Sequence, residues 1–257
     1  MALPPSISVE LVHNFSLIHD DIEDNDKVRR HKPTLWTIWG IPKAIITGNS
    51  ILVLGNKVLN NMTKNGSTEK DLFLSQRILT ESYLKMMEGQ FLDISFEKEK
   101  NISLEKYLKM ISLKTGALIE CSVTLGAIAS KRDMDNFLYN LVSTFGREIG
   151  LLFQIRDDLL GVWGTDRTGK PVGADIKRKK KSLPIILSLS SKNKSASKKI
   201  NKILSKQGLE EEDVNDIMDI MDVLKIKEKC EEISKNYQQS IETVSYTHLR
   251  AHETSLH

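Results

Sequence analysis

Apolar residues recur three and four positions apart along most of the chain, and few prolines interrupt them. This spacing puts apolar side chains on one face of an α-helix, so the pattern predicts a succession of helices. No alternating pattern of convincing length indicates a β-strand. The helices are predicted at residues 6–26, 42–62, 68–96, 103–130, 133–163, 182–191, 195–206, 210–222 and 225–244.

Two of these helices have recognisable starts, because Thr68 and Ser103 each precede acidic residues of a first turn. The polar, glycine-containing segment 164–181 is predicted as a loop, and a loop of this length in a compact chain is usually functional. Residues 245–257 hold three of the six histidines and no apolar stripe. We therefore predict a single all-α domain over residues 1–244, followed by a non-native tail at 245–257.

Composition narrows the class of protein. The chain has 257 residues, 40% of them hydrophobic, which is enough for one sizeable helical domain or two small ones. No stretch has the apolar length of a membrane span, so we expect no integral membrane segment. Cys121 and Cys230 match no metal-ligand spacing and indicate reduced thiols in a cytoplasmic protein. A net charge of +3 does not imply nucleic acid, and the basic run 177–181 lacks interleaved aromatic residues for base stacking.

The first acidic cluster has the pattern Asp-Asp-x-x-Asp, formed by Asp20, Asp21 and Asp24. Asp20 and Asp24 project from one helix face on consecutive turns, where their repulsion opposes helix formation unless a cation lies between them. Such hard oxygen ligands suit Mg²⁺. A solvated helix end is the alternative, but the largely apolar stretch before the cluster favours a cavity.

The second acidic cluster, Asp157 and Asp158, interrupts a strongly apolar helical stretch. Burying such charges without partners is costly, so a structural ion pair with Arg156 is one interpretation. The other interpretation is a metal site, which the presence of a separate first acidic cluster favours. Facing clusters can hold several divalent ions around a diphosphate leaving group.

Several basic residues could complete a diphosphate site. Paired arginines suit bidentate phosphate recognition, whereas lysines act as point charges. Each of these residues taken alone is more often a surface charge. The candidates are Arg29, Arg30, Lys114, Lys170 and Lys180.

Taken together, these motifs resemble the trans-isoprenyl diphosphate synthases, or polyprenyl synthetases, over residues 9–190 and on towards 244. The resemblance implies a large helical bundle around a deep apolar cavity, usually a homodimer. The matching runs are His13–Asp24, Arg29-Arg30-x-Lys32-Pro33-Thr34, Gly89-Gln90-x-x-Asp93, Lys114-Thr115-Gly116, Phe153-Gln154-x-x-Asp157-Asp158 and Thr168-Gly169-Lys170-x-x-Gly173-x-Asp175.

The resemblance also implies a reaction and a role for each matching position. Three Mg²⁺ ions promote loss of diphosphate from an allylic substrate, the isopentenyl double bond attacks the cation, and the departing diphosphate takes a proton. The protein supplies positioning, charge and exclusion of water. The implied metal ligands are Asp20, Asp21, Asp24, Asp157 and Asp158; Arg29, Lys114 and Lys170 would bind the allylic diphosphate, Arg30 the isopentenyl diphosphate, Thr115 and Gln154 would lie beside the reacting carbons, and Gln90 and Asp93 match further site positions.

The sequence departs from the family pattern in two places. Gly161 stands where many relatives have a third aspartate, and we expect water to fill that vacancy. The family's usual Gly-Gly-Lys-x-Arg-x-Pro segment does not precede Asp20, so we expect this chain to be weakly active or inactive and its longer parent to be active.

Product length should depend on the side chains before the first acidic cluster. Phe15, with small Ser16 beside it, is the candidate plug against which the growing product stops. Relatives with an aromatic residue there resemble makers of geranylgeranyl diphosphate (C20), with farnesyl diphosphate (C15) as the close alternative. Phe15 could instead only pack the core.

Two other functions compete with the synthase. A class I terpene cyclase shares the acidic clusters but ordinarily lacks the paired Arg29-Arg30 and the Lys170 loop. A noncatalytic subunit of a heteromeric synthase tends to lose an acidic motif, whereas here the first is intact. Consumption of isopentenyl diphosphate would distinguish a synthase from a cyclase.

Overall fold

The computed structural model describes residues 2–99, 101–130, 135–164 and 171–245. Almost all regular structure in these residues is helical, and prolines in the first turns of the helices that begin at Leu3, Ile41 and Leu183 favour helix initiation there. The elements are α1 Leu3–Glu23, β1 Val28–Arg29, β2 Lys32–Pro33, α2 Leu35–Trp39, α3 Ile41–Leu59, a 3₁₀ turn Asn60–Asn65, α4 Glu69–Lys98, α5 Leu104–Ile111, a π-helical segment Ser112–Gly116, α6 Ala117–Ala129, α7 Asn136–Trp163, α8 Ala174–Lys177, α9 Leu183–Leu189, α10 Lys194–Leu204, α11 Glu211–Val223 and α12 Ile226–Thr243.

The all-α class is confirmed, and each predicted helix has a counterpart with ends shifted by a few residues, except that the helix predicted at 103–130 is divided into α5, the π-helical segment and α6. The predicted start at 133 lies outside the described residues, as does the tail from 246 onwards. The sequence pattern missed several short elements: the antiparallel hairpin of β1 and β2, helix α2, the π-helical segment, and helix α8 inside the predicted loop. Each is too short for a periodic pattern to reveal.

Both recognised helix starts are confirmed by their hydrogen bonds. The Ser103 hydroxyl accepts from the Lys106 amide at 3.2 Å. At α4, the Thr68 hydroxyl accepts from the Asp71 amide at 3.1 Å, and the Asp71 carboxylate accepts from the Thr68 amide at 2.9 Å. These bonds satisfy amides that have no partner within the helix.

The chain divides into two compact units rather than one. The first unit comprises Met1–Leu84 and Leu118–Gly146, and the second comprises Lys85–Ala117 and Arg147–His257. The length and hydrophobic content of the chain were compatible with one domain or with two small ones. The single domain over 1–244 therefore stays a prediction.

In the first unit, α1 packs along α3. Val12 and Phe15 are buried on α1, and Ala44 and Gly48 are buried on α3. Small residues on α3 allow the two backbones to approach closely, because they leave room for the larger side chains of α1. This packing fixes the end of α1, where the first acidic cluster lies.

In the second unit, α9 packs against α5, α10 and α12. Its apolar core includes Ile155 of α7, Ile185 of α9 and Cys230 of α12, none of which is exposed. Tyr107 of α5 belongs to the same core and is only 1% exposed. A buried phenol requires a hydrogen-bond partner, which the second acidic cluster supplies.

One helical run bears on the expectation that the chain has no membrane segment. Residues Leu104–Ala129 are long and apolar enough to cross a membrane by length and composition, and 44% of their most apolar window is buried within the structure. The core helix of a globular fold meets the same criteria, so length and composition do not distinguish the two cases.

Candidate active site

The first acidic cluster lies at the end of α1, in the first unit. Asp20 and Asp21 occupy the last turn, and Asp24 is the residue that caps the helix. The side chain of Asp20 is 25% exposed, that of Asp21 is 8% exposed, and Asp24 lies on the surface. The three carboxylates of the cluster therefore differ in their exposure to solvent.

Arg29 folds back onto this cluster. Its Nε lies 2.6 Å from the Asp21 carboxylate, and its terminal nitrogen lies 3.5 Å from that of Asp20. Burial raises the pKa of Asp21, and Arg29 opposes that rise. The sequence placed these residues eight or nine positions apart, and the structure brings them into contact.

A tight hairpin causes this return. Arg29 pairs with Lys32, and the two residues between them, Arg30 and His31, both have positive φ angles (51° and 62°). A two-residue turn with both positions left-handed matches the twist of paired strands, although side chains other than glycine adopt it at a cost. Arg30 is consequently exposed, whereas Arg29 points back to the acidic cluster.

The base of the hairpin is fixed by the carbonyl oxygen of Asp26. It accepts hydrogen bonds from the Thr34 hydroxyl and the Trp36 indole, each at 2.8 Å. These bonds explain the position of helix α2, which follows directly. They hold Arg29 against the carboxylates through backbone geometry as well as charge.

Phe15 and Ser16, the predicted product-length residues, lie five and four residues before Asp20. Phe15 is 5% exposed, and its ring meets that of His19 edge to face at 4.7 Å. The Ser16 hydroxyl donates to the His13 carbonyl at 2.8 Å. Burial of Phe15 agrees with a packing role, and its role as a plug stays a prediction.

In the second unit, Lys114 and Thr115 lie in the π-helical segment between α5 and α6. A π-helical turn contains more residues than an α-helical one, and such turns are frequent at functional sites. Here the segment places Lys114 Nζ at 2.6 Å from the Asp93 carboxylate. Asp93 is thus a partner of a candidate phosphate-binding lysine.

Gly89 allows helix α4 to lie close to the backbone of the π-helical segment. A Cβ atom at this position would lie within 3.0 Å of the backbone of Leu113 and Lys114. Only glycine avoids that overlap, because the contact is with backbone rather than with a movable side chain. This explains the glycine of the Gly89-Gln90-x-x-Asp93 run, whose Gln90 is partly buried.

Asp158 is the centre of the second cluster and is 1% exposed. One carboxylate oxygen accepts from the Tyr107 hydroxyl at 2.6 Å and from the Leu183 amide at 2.8 Å. The other accepts from the Gln154 amide at 3.0 Å and from Lys180 Nζ at 3.1 Å. Gln154 in turn accepts from the Thr115 hydroxyl at 2.8 Å.

These bonds commit both oxygens of Asp158 to protein donors. Its predicted role as a metal ligand stays a prediction, but the structure favours a positioning role. Asp157, next to it, is only partly buried and is the better placed of the two for an external ligand. Arg156, whose ion pair with this cluster was the alternative interpretation, donates a hydrogen bond to Gln238 at 3.2 Å.

Charge around Asp158 is balanced by Lys180. Burial by itself would lower the pKa of Lys180, but the carboxylates of Asp158 and Asp175 outweigh it and raise the pKa. The pKa of Tyr107 is raised well above its ordinary value, first by burial and then by Asp158. Lys180 therefore stays an ammonium and Tyr107 stays a hydroxyl donor at neutral pH.

The carboxylates of each cluster, taken separately, fit a magnesium site that substrate would complete. Among the described residues, no group of three or more His, Cys, Asp or Glu side chains forms a ready-made metal site. Mg²⁺ usually binds one or two protein carboxylates and fills its shell with water and substrate phosphate. Asp20 with Asp24, and separately Asp157, provide donors of that type.

Hydrogen bonds link the predicted site residues of the second unit in two groups: Lys114 with Asp93, and Thr115, Gln154 and Lys180 with Asp158 directly or through one another. Lys170 lies outside the described residues. Tyr107 was not predicted, and Asp175, which closes one of the matching runs, had been given no role. A tyrosine on the apolar face of α5, beside Met110 and Ile111, was the available signal for the first, because its hydroxyl would need a buried partner.

Carboxylates beside arginine or lysine at two places in an all-helical chain are typical of enzymes that bind magnesium diphosphates. The chain belongs to the polyprenyl synthetase family, whose sequence model matches residues 2–221. The resemblance read from the motifs is therefore confirmed.

Two curated relatives are similar to this chain over most of its length. The chain is 39% identical over 196 residues to a geranylgeranyl diphosphate synthase of Mycobacterium tuberculosis, covering 76% of this chain and 54% of that protein. It is 40% identical over 185 residues to a (2E,6E)-farnesyl diphosphate synthase of Mycobacterium bovis, covering 72% and 50%. The chain thus spans about half the length of the curated relatives it matches.

Solved structures share the fold. A geranylgeranyl pyrophosphate synthetase from Pyrococcus horikoshii superposes with a TM-score of 0.87 at 31% identity, covering 95% of this chain and 73% of that one. A geranylgeranyl pyrophosphate synthase from Corynebacterium glutamicum, complexed with isoprenyl diphosphate and magnesium, gives a TM-score of 0.81 at 27% identity, covering 94% and 72%.

Proposed function

We propose that this chain is the catalytic part of a prenyltransferase that joins an allylic diphosphate to isopentenyl diphosphate, with geranylgeranyl diphosphate as product. The observation that carries the proposal is the family match over residues 2–221, combined with acidic and basic side chains at the motif positions. The contacts of Arg29 with Asp20 and Asp21, and of Lys114 with Asp93, support it.

Asp20, Asp24 and Asp157 would hold magnesium in this proposal. Magnesium bound there neutralises charge that develops on the diphosphate as the carbon–oxygen bond breaks. The magnesium in the Corynebacterium relative supports the choice of ion. Asp21 and Asp158 would act differently, because each is buried and bonded to protein groups.

The basic residues would bind phosphate oxygens. Arg29 has a planar guanidinium that can exchange its carboxylate partners for a diphosphate without losing hydrogen bonds. Lys114 would bind the allylic diphosphate, and Asp93 would orient it. Lys170 would join them, and Arg30 would bind the isopentenyl diphosphate from its exposed turn.

Thr115 and Gln154 would shield the reacting carbons. The hydrogen bond between them fixes the side-chain amide of Gln154, whose NH₂ group also donates a hydrogen bond to Asp158. The oxygen atoms of both side chains are therefore held in fixed directions, as electrostatic stabilisation of a carbocation requires. No proton needs to be taken by these residues, because diphosphate can accept it.

The C20 product rests on Phe15 and on the geranylgeranyl synthases among the relatives. Farnesyl diphosphate is the second candidate, favoured by the similar identity to a farnesyl diphosphate synthase. A buried phenylalanine close to Asp20 supports a short product in either case.

We also propose that the protein is a homodimer in the cytoplasm. Three large apolar residues lie exposed on one face of α3: Ile46 at 64%, Val53 at 66% and Leu54 at 47%. Large apolar side chains exposed on one helix favour burial against a second subunit. Neither cysteine forms a disulfide, which agrees with a reducing compartment.

The test supplies isopentenyl diphosphate with dimethylallyl, geranyl or farnesyl diphosphate and Mg²⁺, and identifies products by mass spectrometry. It is run on this chain and on a longer chain that contains it. We expect the longer chain to consume isopentenyl diphosphate and to form C20 product, and this chain to do so weakly or not at all. Hydrocarbon released from the allylic substrate alone would indicate a cyclase, and no turnover by either chain would contradict the proposal.

A further inference from the structure

His19 lies on α1 between the candidate plug and the first acidic cluster. It directly precedes Asp20, and it follows Phe15 by four residues, so Phe15 and His19 project from the same helix face. Their rings meet edge to face, with centroids 4.7 Å apart and an angle of 63° between the ring planes. The roles implied by the motifs leave His19 without a task.

The imidazole of His19 is enclosed by protein at its Nε2 edge. Within the part of the chain that the structure describes, Nε2 is buried and has no hydrogen-bond partner. A buried polar atom of this kind is costly unless its surroundings account for it. His19 therefore acts at this edge through the shape of its ring and not through a hydrogen bond.

Gly48 of α3 makes room for that edge of the ring. Gly48 is buried where α1 packs along α3. A Cβ atom at position 48 would lie 2.5 Å from Nε2 and 2.6 Å from Cδ2 of His19, and the next nearest atom, on Ile18, would lie at an ordinary 3.6 Å. A side chain at position 48 would therefore conflict with the His19 ring and with no other neighbour.

Displacement of this ring would reach Phe15. Protein interiors leave few voids, so a ring that is pushed away from α3 presses on the side chains packed against it. Phe15 is one of these side chains, and at 5% exposure it has little free space of its own. The positions of Gly48, His19 and Phe15 are thus mechanically coupled across two helices.

We infer that Gly48 and His19 are positioning residues for product length. Gly48 leaves the space in which the His19 ring lies, and His19 holds the Phe15 ring in the arrangement that stops the growing tail. The inference rests on the proposed function and extends it, because it places part of the product-length determinant on α3, outside the motif that precedes Asp20.

The test measures products in the longer chain that contains this one, with isopentenyl diphosphate, an allylic diphosphate and Mg²⁺. Mass spectrometry gives the ratio of longer products to the main product of the parent. His19→Ala should raise this ratio roughly two- to tenfold, the factor by which one edge-to-face contact favours a single arrangement of the Phe15 ring. The ratio does not depend on how much of the enzyme is folded, so a loss of stability alone would leave it unchanged.

Gly48→Ala should change the same ratio by at least about twofold, because its methyl group displaces the His19 ring. In the double variant His19→Ala/Gly48→Ala, that methyl group enters the space left by the imidazole. We therefore expect Gly48→Ala to have no further effect on the product ratio in the His19→Ala background, and to lower the melting temperature less there than in the parent.

Gly55→Ala is the matched control. Gly55 is also buried on α3, and a Cβ atom there would lie at least 3.3 Å from its neighbours, which belong to Ser8, Leu11 and Val12 of α1. This substitution perturbs the same pair of helices without touching His19. We expect it to change the melting temperature and to leave the product ratio as in the parent.

The inference is overturned by an unchanged product ratio in either His19→Ala or Gly48→Ala, by effects of the two substitutions that simply add, or by an equal change in Gly55→Ala. If His19→Ala does not fold, His19→Leu takes its place, since it keeps apolar volume but removes the ring contact. Failure of the longer parent to consume isopentenyl diphosphate would instead reject the proposed function, and the melting-temperature comparison, which needs no activity, would still measure the contact between Gly48 and His19.

Discussion

The hydroxyl of Tyr107 donates a 2.6 Å hydrogen bond to the carboxylate of Asp158, across 51 positions of sequence. Both residues are about 1% exposed. A buried carboxylate that accepts from a phenol, two nitrogen side chains and a backbone amide is fixed in direction. Asp157 and Asp158 are adjacent in sequence, yet their surroundings favour different roles: metal binding for Asp157 and positioning of protein groups for Asp158.

Substitution of each aspartate by alanine should distinguish the structural role of Asp158 from the catalytic role of Asp157. Asp158→Ala leaves Tyr107, Lys180 and the Leu183 amide without their acceptor, so we expect it to lower the free energy of unfolding by about 3–5 kcal/mol. Asp157→Ala should lower it by no more than about 1 kcal/mol and should reduce prenyl transfer by about 10²-fold or more. Denaturant unfolding and initial rates measure both. Equal loss of stability in the two variants would contradict the assignment.

Gly89 should resist even the smallest side chain. Gly89→Ala places a methyl group against the backbone of Lys114, so we expect a loss of about 1–3 kcal/mol of unfolding free energy and a higher KM for the allylic diphosphate. Gly126 of α6 is the control, because nothing lies within 4 Å of a Cβ placed there. Gly126→Ala should stabilise by up to about 1 kcal/mol through helix propensity. A neutral Gly89→Ala would show that the π-helical segment moves easily.

Phe15 is predicted to limit product length. Phe15→Ala should lengthen the product by at least one isoprene unit, because the tail would extend past the vacated ring. The large cavity costs about 3–5 kcal/mol of stability, so Phe15→Leu serves as a milder variant. Phe73, which is 68% exposed, provides Phe73→Ala as control. If the product spectrum of the active enzyme is unchanged in both Phe15 variants, Phe15 only packs the core.

The thiol of Cys230 should be unreactive in the folded protein. Burial, and then the charge of Asp158, raise the pKa of the Cys230 thiol to about 12. Because the folded state favours the protonated thiol, this group contributes its full stability below its ordinary pKa and loses that contribution as the pH rises towards 12. Iodoacetamide at pH 8 should therefore label Cys230 only after unfolding, as read by mass spectrometry. Rapid labelling of the folded protein would contradict its burial.

Much of the fold could be predicted from sequence because helix formation depends on near neighbours. The starts at Thr68 and Ser103 each depend on a side chain and an amide only three residues apart. The hairpin that carries Arg29 was missed because its paired strands have two residues each, too few for a pattern. Helix α8 was missed for the same reason, and with it the position of Asp175.

The sequence by itself determined the helices, the family and which residue types the site contains, since these follow from periodicity and from motifs read in order. Only the tertiary structure decided which carboxylates are committed to protein partners. Tyr107 meets Asp158, and Asp175 covers Gly161, through folding of segments distant in sequence. Burial and hydrogen bonding of a carboxylate are properties of its three-dimensional surroundings, so an Asp-Asp motif cannot show which of its members remains available to a ligand.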